Sequence, residues 1–400
     1  MRILIVGSDA NSYSLAKKFS QLPEVDLVFV APGNSSIKDF ATSIDILSTQ
    51  VDDLLDFAKV NEINLTFIVD EEAMKLSITN LFEAEGLSVF APSLESSRIV
   101  ISKSSSKKTL YKLRIQTPKF GIFDKENMAI DYARKSRYPV VIKNDTHVSG
   151  EKPVICDTFS KAKNAIELYF EEFNKKIVIE DYIDAKEVSF YVITDGYTAF
   201  PLARVASRNL KDEFIQNQGK SDGKILNIAY SPDHYISKEL ESKIMSRVVY
   251  PVIDEISKHS APYTGILGID LLINGNNFQV LEFNSFFKSV HLQAALPLIK
   301  CNLKELAFAA INGSLSDDYH EIELSDKVAI AVEIQDNINI DSEDIENFEV
   351  AYSKNGNTIL TATSSTMGSA KNNLIEFLES LPSDYSSAVK ELCSLGERNI

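Results

Sequence analysis

Apolar and polar positions follow two different rhythms along this chain. Over the first hundred residues, short continuous apolar runs are separated by stretches with helical spacing. Arg2–Val6 is one run, closed by Gly7. Val25–Val30 is a second, ending in Ala31-Pro32-Gly33-Asn34, and Leu65–Val69 and Leu87–Phe90 are a third and fourth. Between the second and third, Val51, Leu54, Leu55 and Ala58 recur with the period of one helix face. Thr49 is in place to cap that helix, with Asp52 in its first turn. Strand–helix alternation predicts a parallel sheet with helices on its faces, and ligands beyond the carboxyl ends of the strands.

The middle of the chain changes rhythm. A lysine-rich helix is predicted over Lys103–Leu113, then buried strands at Pro139–Lys143 and Lys176–Ile183. Val188, Phe190 and Val192 alternate, and Asp195-Gly196 marks a hairpin turn. A helix after Ser237 carries Leu240, Ile244 and Val248 on one face, and Tyr250-Pro251 should kink or end it. A hairpin over Asp270–Asn284 turns at Asn274-Gly275-Asn276-Asn277. From about Asp326 come short strands and a helix near Ala370–Leu381.

Composition narrows the function classes. The 400 residues carry 41 Lys plus Arg against 57 Asp plus Glu, a net charge of −16. An acidic surface does not suit a nucleic-acid coat, although a local basic pocket still takes a small anion. Cys156, Cys301 and Cys393 match no paired metal spacing, so a reduced compartment is expected. No apolar run reaches the ~20 residues of a membrane span, and no export signal stands before Arg2, so a cytoplasmic protein without membrane partners is expected. Only 15 residues are Gly, about half the usual ~7%. Functions that need several glycine-rich phosphate loops must survive that scarcity.

Candidate chemistry gathers on the Asp270–Asn284 hairpin. With an odd number of loop residues, Asp270 falls opposite Glu282, and Asn284 shares their face. Three oxygen donors on one face suit Mg²⁺; equally, they form the solvated polar edge of a hairpin, and the residues alone leave both readings open. Lys143 ends an apolar strand, where a lysine either snorkels to the surface or meets an anion in a cleft. The loop after it, Thr146–Lys152, has one glycine and one lysine. Glu180 interrupts the apolar run Ile177-Val178-Ile179 and needs a partner. A dinucleotide oxidoreductase finds little support, because no further glycines follow Gly7.

The order Ser102-Lys103, Val141-Ile-Lys143, Val178-Ile-Glu180 and Glu282-Phe-Asn284 resembles the ATP-grasp fold. More narrowly, the chain is similar to the glycinamide ribonucleotide synthetase (phosphoribosylamine–glycine ligase) family. The likeness includes Phe29-Val-Ala-Pro-Gly-Asn34, Asp184-Ala-Lys-Glu187, Ala229-Tyr-Ser-Pro232, Tyr263-Thr-Gly265 and Leu395-Gly396. The resemblance implies an ATP-dependent carboxylate–amine ligase that forms an amide through an acyl phosphate. For the family, glycine and phosphoribosylamine are joined with release of ADP and phosphate in purine biosynthesis. By matched positions, Lys103 and Lys143 hold ATP phosphates. Glu180, Asp181, Tyr182 and Ile183 form the adenine hinge, and Glu187 meets the ribose. Glu282 and Asn284 bind Mg²⁺ or Mn²⁺, with Asp270 at a strand position where ATP-grasp enzymes broadly carry an acidic metal ligand and the narrower family usually has a small residue; Lys143, Lys152 and Lys288 are the catalytic candidates. The fold implied is mixed α/β and α+β. It has an N-terminal parallel-sheet α/β domain at 1–101 and an ATP-grasp core at 102–312, with a lid subdomain over about 118–185. A small C-terminal α+β domain occupies 313–400. The partners implied are small molecules, with the chain a monomer or homodimer.

The departures from the family cluster on the substrate side. The family loop G-N-G-G-R-E-H reads Gly7-Ser-Asp-Ala-Asn-Ser-Tyr13 here. The family segment E-F-N-C-R-F-G-D-P-E reads Glu282-Phe-Asn-Ser-Phe-Phe-Lys-Ser-Val-His291, so Phe286 replaces an arginine. The phosphate loop after Lys143 and the glycine-rich segment before Ala229 have lost most of their glycines. Losing one charge-stabilising donor costs ~10²–10³ in rate. Lys288, His291, Arg204 and Arg208 are the available substitutes. A paralogue with another amine or amino acid, or a non-catalytic relative, is therefore the alternative to the family reaction.

Overall fold

The computed structural model describes residues 1–146, 153–173, 176–209, 225–231, 236–335, 348–353, 355–381 and 385–395. Three sheets organise them. The first is parallel: β1 (Arg2–Gly7), β2 (Leu27–Pro32), β3 (Thr42–Ser43), β4 (Leu65–Ile68) and β5 (Val89–Phe90), in the order β3-β2-β1-β4-β5. Ile3 to Val6 are inaccessible because helices cover both faces of β1, which is why these strands read as unbroken apolar runs. β2 begins two residues later than its apolar run: Val25 N closes the preceding turn on Leu22 O, and Asp26 N bonds Met1 O just ahead of the Arg2–Leu27 pair.

The second sheet is antiparallel: β6 (Phe120–Phe123), β7 (Val140–Asn144), β8 (Val154–Cys156) and β9 (Ile177–Asp181), in the order β6-β9-β7-β8. Helices Glu126–Lys135 and Phe159–Phe173 pack on it. The third sheet has eight antiparallel strands: β10 (Lys186–Thr194), β11 (Ala199–Asn209), β12 (Ile225–Ser231), β13 (Gly265–Asn274), β14 (Asn277–Asn284), β15 (Val328–Ile334), β16 (Phe348–Tyr352) and β17 (Thr358–Ser364). Their order is β14-β13-β10-β11-β12-β15-β17-β16. The strands of the C-terminal quarter thus extend the central sheet through the β12–β15 pairing. A parallel-sheet α/β N-terminal unit and an antiparallel core make the fold mixed α/β, as the sequence predicts.

Two local expectations are corrected. Thr49 does not cap the helix Val51–Val60. Gln50 is the cap residue and makes no side-chain cap bond; its amide instead accepts from Leu47 N and donates to Asp53, tying the approach turn to the first helical turn. Pro251 does not end the helix after Ser237. The helix Lys238–Ile244 widens into a π-helical stretch over Met245–Val249 and continues as Tyr250–His259. The wider turn accommodates a ring that would collide with an ordinary i−4 carbonyl.

The hairpin of β13 and β14 also closes differently from its expected parity. Asn274 pairs with Asn277 across a two-residue turn, which alone would set Asp270 out of step with Glu282. A bulge at Leu281 restores the step: Leu271 pairs with Val280, whereas Asp270 pairs with Glu282 and Gly268 with Asn284.

Candidate active site

Elements of all three sheets and their helices converge on one cavity of about 380 Å³. Its walls include Lys103, Lys143, Glu282, Asn284 and Lys288, with Asp9 and Asn11 on the N-terminal side. Lys103 opens the helix Lys103–Lys112, which Ser102 caps by accepting from Ser105 N. Asp145, just past β7, accepts from Ser104 N at 2.6 Å and Ser102 Oγ at 3.0 Å. That carboxylate at a helix N-terminus fixes the second sheet to the base of the site.

A buried charge cluster underlies Lys143 and Glu282 of the cavity wall. Glu180 is 1% exposed and pairs with Lys143 and, at 2.7 Å, with Lys107. Lys107 also donates to Thr117 Oγ1 at 2.7 Å and Leu281 O at 3.1 Å. Burial pushes the Glu180 carboxyl up, but Lys143 and Lys107 overrule it and hold it below the ordinary range. Desolvation prevails at Lys107 and lowers its ammonium. At Lys143 it is overcome by Glu180 and Glu282, which raise it. Glu282 faces the cavity beside Lys103 at 3.3 Å and Lys143 at 3.8 Å. Against its own desolvation, these lysines and Lys288 hold its carboxyl well below the usual range. Lys107 was missed by sequence reasoning; its spacing of four from Lys103 on a polar helix was the available signal.

A second cluster lies one strand over. Asp270 is fully buried and accepts from Ser189 Oγ, from Asn284 Nδ2 at 3.0 Å and from Lys288 Nζ at 3.0 Å. Lys288 also reaches Glu187 at 3.3 Å. Burial disfavours the Lys288 charge, but Asp270 and Glu187 raise its ammonium well above the ordinary value. Burial lifts the Glu187 carboxyl. Behind Lys288, Tyr191 stacks on Phe287 at 4.0 Å and bonds His291 Nδ1 at 2.9 Å, and His291 Nε2 meets Ser207 Oγ at 2.8 Å.

The departing segments meet each other. Ser289 Oγ donates to Asp9 Oδ2 at 3.0 Å, and Asn11 Nδ2 donates to Phe287 O at 2.8 Å. Phe286 packs against an apolar cluster that includes Val6, Ile68 and Ala91. Among the four substitutes considered for the missing arginine, only Lys288 lines the cavity. Arg204 pairs with Glu241, Arg208 is on β11, and His291 is buried in its own bonds. Glu180, Asp181, Tyr182, Ile183, Glu187 and Asp270 are outside the cavity lining; Asp181 N and Tyr182 N donate to Lys119 O and Pro139 O. Lys152 and the rest of 147–152 lie outside the described residues.

The chain matches the family model "Phosphoribosylglycinamide synthetase, N domain" over residues 1–99. It matches "Phosphoribosylglycinamide synthetase, ATP-grasp (A) domain" over residues 101–291. It belongs to the phosphoribosylglycinamide synthetase family. Its relatives include phosphoribosylamine–glycine ligases of Clostridium acetobutylicum and Pasteurella multocida. The first is 30% identical over 79% of this chain and 76% of the relative. The second is 31% identical over 79% and 74%. Among solved structures, the phosphoribosylamine–glycine ligase of Thermotoga maritima superposes with a TM-score of 0.75 at 18% identity, covering 95% of this chain and 96% of that one. The biotin carboxylase domain of Hydrogenobacter thermophilus 2-oxoglutarate carboxylase, in complex with MgADP, ADP and bicarbonate, reaches 0.73 at 14% identity, covering 95% and 89%. Both likenesses are of fold.

Synthetase-family membership brings ATP and a divalent metal into view, and the donors can be tested for fit. Glu282 opens to the cavity, and Asn284, having given its amide N–H to Asp270, presents its Oδ1 as an acceptor. A carboxylate and an amide oxygen suit a hard cation that keeps waters and substrate oxygens as its other ligands. No cluster of three or more His, Cys, Asp or Glu residues able to hold a metal occurs among the described residues. As placed, Asp270 is committed to Lys288, and ligation by it would require that lysine to leave. No helix of the described residues is long and apolar enough to cross a membrane.

Proposed function

We propose that this chain is an ATP-dependent ligase that joins a carboxylate to an amine through an acyl phosphate. The observation that carries the reading is the convergence of Lys103 and Lys143 on Glu282, with Asn284 beside it, at one cavity. In the first step a substrate carboxylate oxygen attacks the γ-phosphorus of ATP, and ADP leaves with the electrons of the broken P–O bond. In the second, the amine nitrogen attacks the acyl carbon, phosphate leaves, and the nitrogen loses its proton. Little covalent work falls to the protein; positioning and positive charge around the phosphoryl group do most of it. Lys103 and Lys143 hold the ATP phosphates, and Lys288 supplies the cation nearest to where the family arginine would stand. Glu180, Asp181, Tyr182 and Ile183 form the adenine edge, Glu187 meets the ribose, and Lys152 belongs to the phosphate loop. Glu282 and Asn284 would hold Mg²⁺ or Mn²⁺, which neutralises phosphate charge when bound.

The pair named for the relatives, phosphoribosylamine and glycine, is the first to try, with purine biosynthesis in the cytoplasm as its setting and a monomer or homodimer as the working form. ADP release is measured with Mg-ATP, glycine and fresh phosphoribosylamine, each omitted in turn, beside Glu282→Ala. Release that requires Glu282 and a carboxylate supports the ligase reading. Release unchanged in Glu282→Ala overturns it.

A further inference from the structure

The main cavity continues into a second, apolar one of about 60 Å³. Asn11, Val69, Ser285, Phe286 and Phe287 line both. Beyond them the smaller cavity is walled by side chains such as Phe67, Phe90, Leu202 and Ile266. Phe286, in place of the family arginine, makes the junction apolar on one side.

The junction also holds the polar side chains of Asn11 and Ser285, and the main cavity beside it is acidic. Asn11 is 2% exposed, and its Oδ1 has no hydrogen-bond donor among the described residues. An oriented, buried acceptor left unpaired is a place for a ligand donor. Asp9 lies two residues away, and Glu71 also lines the main cavity. Asp9 replaces a glycine of the family loop. Its carboxylate is fixed by Ser289 Oγ and by the N–H groups of Asn11 and Ser12, both at 3.1 Å. A fixed carboxylate repels a phosphate dianion and attracts an ammonium. The cations of the cavity, Lys103, Lys143 and Lys288, stand with Glu282 and Asn284, where phosphoryl transfer would occur.

We infer that the carboxylate substrate is an unphosphorylated α-amino acid with a small branched aliphatic side chain, in place of glycine. This rests on the ligase reading above. Its ammonium donates to Asn11 Oδ1 in the field of Asp9, its side chain fills the apolar cavity past Phe286, and its carboxylate faces the lysines. The size follows from volume. A cavity of about 150 Å³ holds benzene, so one well under half that takes an isopropyl or isobutyl group and excludes an aromatic ring.

The test traps the acyl phosphate with hydroxylamine, so that no knowledge of the amine is needed. The full-length chain, Mg-ATP and hydroxylamine are incubated with glycine, alanine, valine, leucine, phenylalanine or 4-methylpentanoate, which is leucine without its ammonium group. Valine or leucine is expected to exceed glycine in kcat/KM for hydroxamate by at least tenfold, with phenylalanine and 4-methylpentanoate as poor as glycine. Ile266→Phe, which fills the side cavity, should remove the preference for valine and leucine over glycine, with retained Mg-ATP binding showing that the variant is folded. Glycine as the best substrate, or 4-methylpentanoate equal to leucine, overturns the inference and leaves the ligase reading standing. If none of the six carboxylates gives hydroxamate, despite Mg-ATP binding, both this inference and the ligase reading for α-amino acids fail. Calorimetry with a non-hydrolysable ATP analogue then decides the pocket alone: leucine binding no tighter than glycine overturns it. The substrate series on the unaltered chain holds whether or not the variant folds.

Discussion

The Lys288 ammonium lies 3.0 Å from Asp270 Oδ2, and both residues replace small residues of the family pattern. Each departure makes sense only with the other. Asp270 is fully buried, so removing Lys288 strands a charge, whereas Lys288, about a third exposed, can turn to solvent when Asp270 is removed. Lys288→Ala is therefore expected to destabilise by about 3 kcal/mol, and Asp270→Gly by less. The double variant Asp270→Gly/Lys288→Ala should recover much of the loss. Urea unfolding of all four proteins yields the coupling directly, and additive effects would show that the pair is not a unit.

The two lysines that share Glu180 should separate by function. Lys143 lines the main cavity and Lys107 does not. Lys107→Met leaves Glu180 with one partner and should act on stability, by about 3 kcal/mol, with Mg-ATP affinity nearly unchanged. Lys143→Met should weaken Mg-ATP binding by about 10–100-fold through loss of a charge-assisted phosphate contact. Calorimetric titration of both variants checks this, and equal affinity losses would contradict the division.

Local periodicity was enough to place the N-terminal strands and the β13–β14 hairpin, because buried parallel strands and amphipathic hairpins leave their period in the sequence. The alignment of Asp270 with Glu282 was not legible by turn counting. It depends on a bulge at Leu281, which no residue type there announces. The joining of the C-terminal strands to the central sheet was equally hidden, since the β12–β15 pairing spans about a hundred residues of sequence. Among site residues, Lys103, Lys143, Glu282, Asn284 and Lys288 do share one cavity. Lys107, Asp9 and Asn11 were missed because their importance arises from contacts with distant segments, Glu180, Ser289 and Phe287. Each departure, read alone along the chain, looked like damage; in space Asp9 with Ser289 and Asp270 with Lys288 are matched replacements.

Gly268 is a further point of constraint. A Cβ there would come within 2.7 Å of the Tyr191 ring, which is buried and stacked on Phe287. Tyr191 is fully enclosed, so the strain passes to Phe287, which borders both cavities. Gly268→Ala should destabilise by about 1–3 kcal/mol through overpacking and, by displacing Phe287, reduce whatever turnover the hydroxylamine assay detects. A variant as stable as the parent would mean that the ring stack yields freely.

His291 should make the fold acid-sensitive. It is buried between Tyr191 at Nδ1 and Ser207 at Nε2, with the Lys288 cation facing it. Burial first, and Lys288 second, push its pKa well below 6.5. The unfolded chain takes up the imidazole proton at the ordinary value, while the folded chain refuses it until a much lower pH. Between those limits the unfolded state binds more protons, so stability rises with pH. The contribution is complete above about pH 6.5 and declines as pH falls toward the depressed value, by at most about 1.4 kcal/mol per pH unit. His291→Gln keeps an amide able to bond and removes the titration. Urea midpoints from about pH 5 to 7.5 should fall more steeply with acid for the parent than for the variant. The acid titration of Glu180 and Glu282 is common to both and cancels in the difference. Parallel slopes would mean that His291 binds its proton equally well in the folded and unfolded chains.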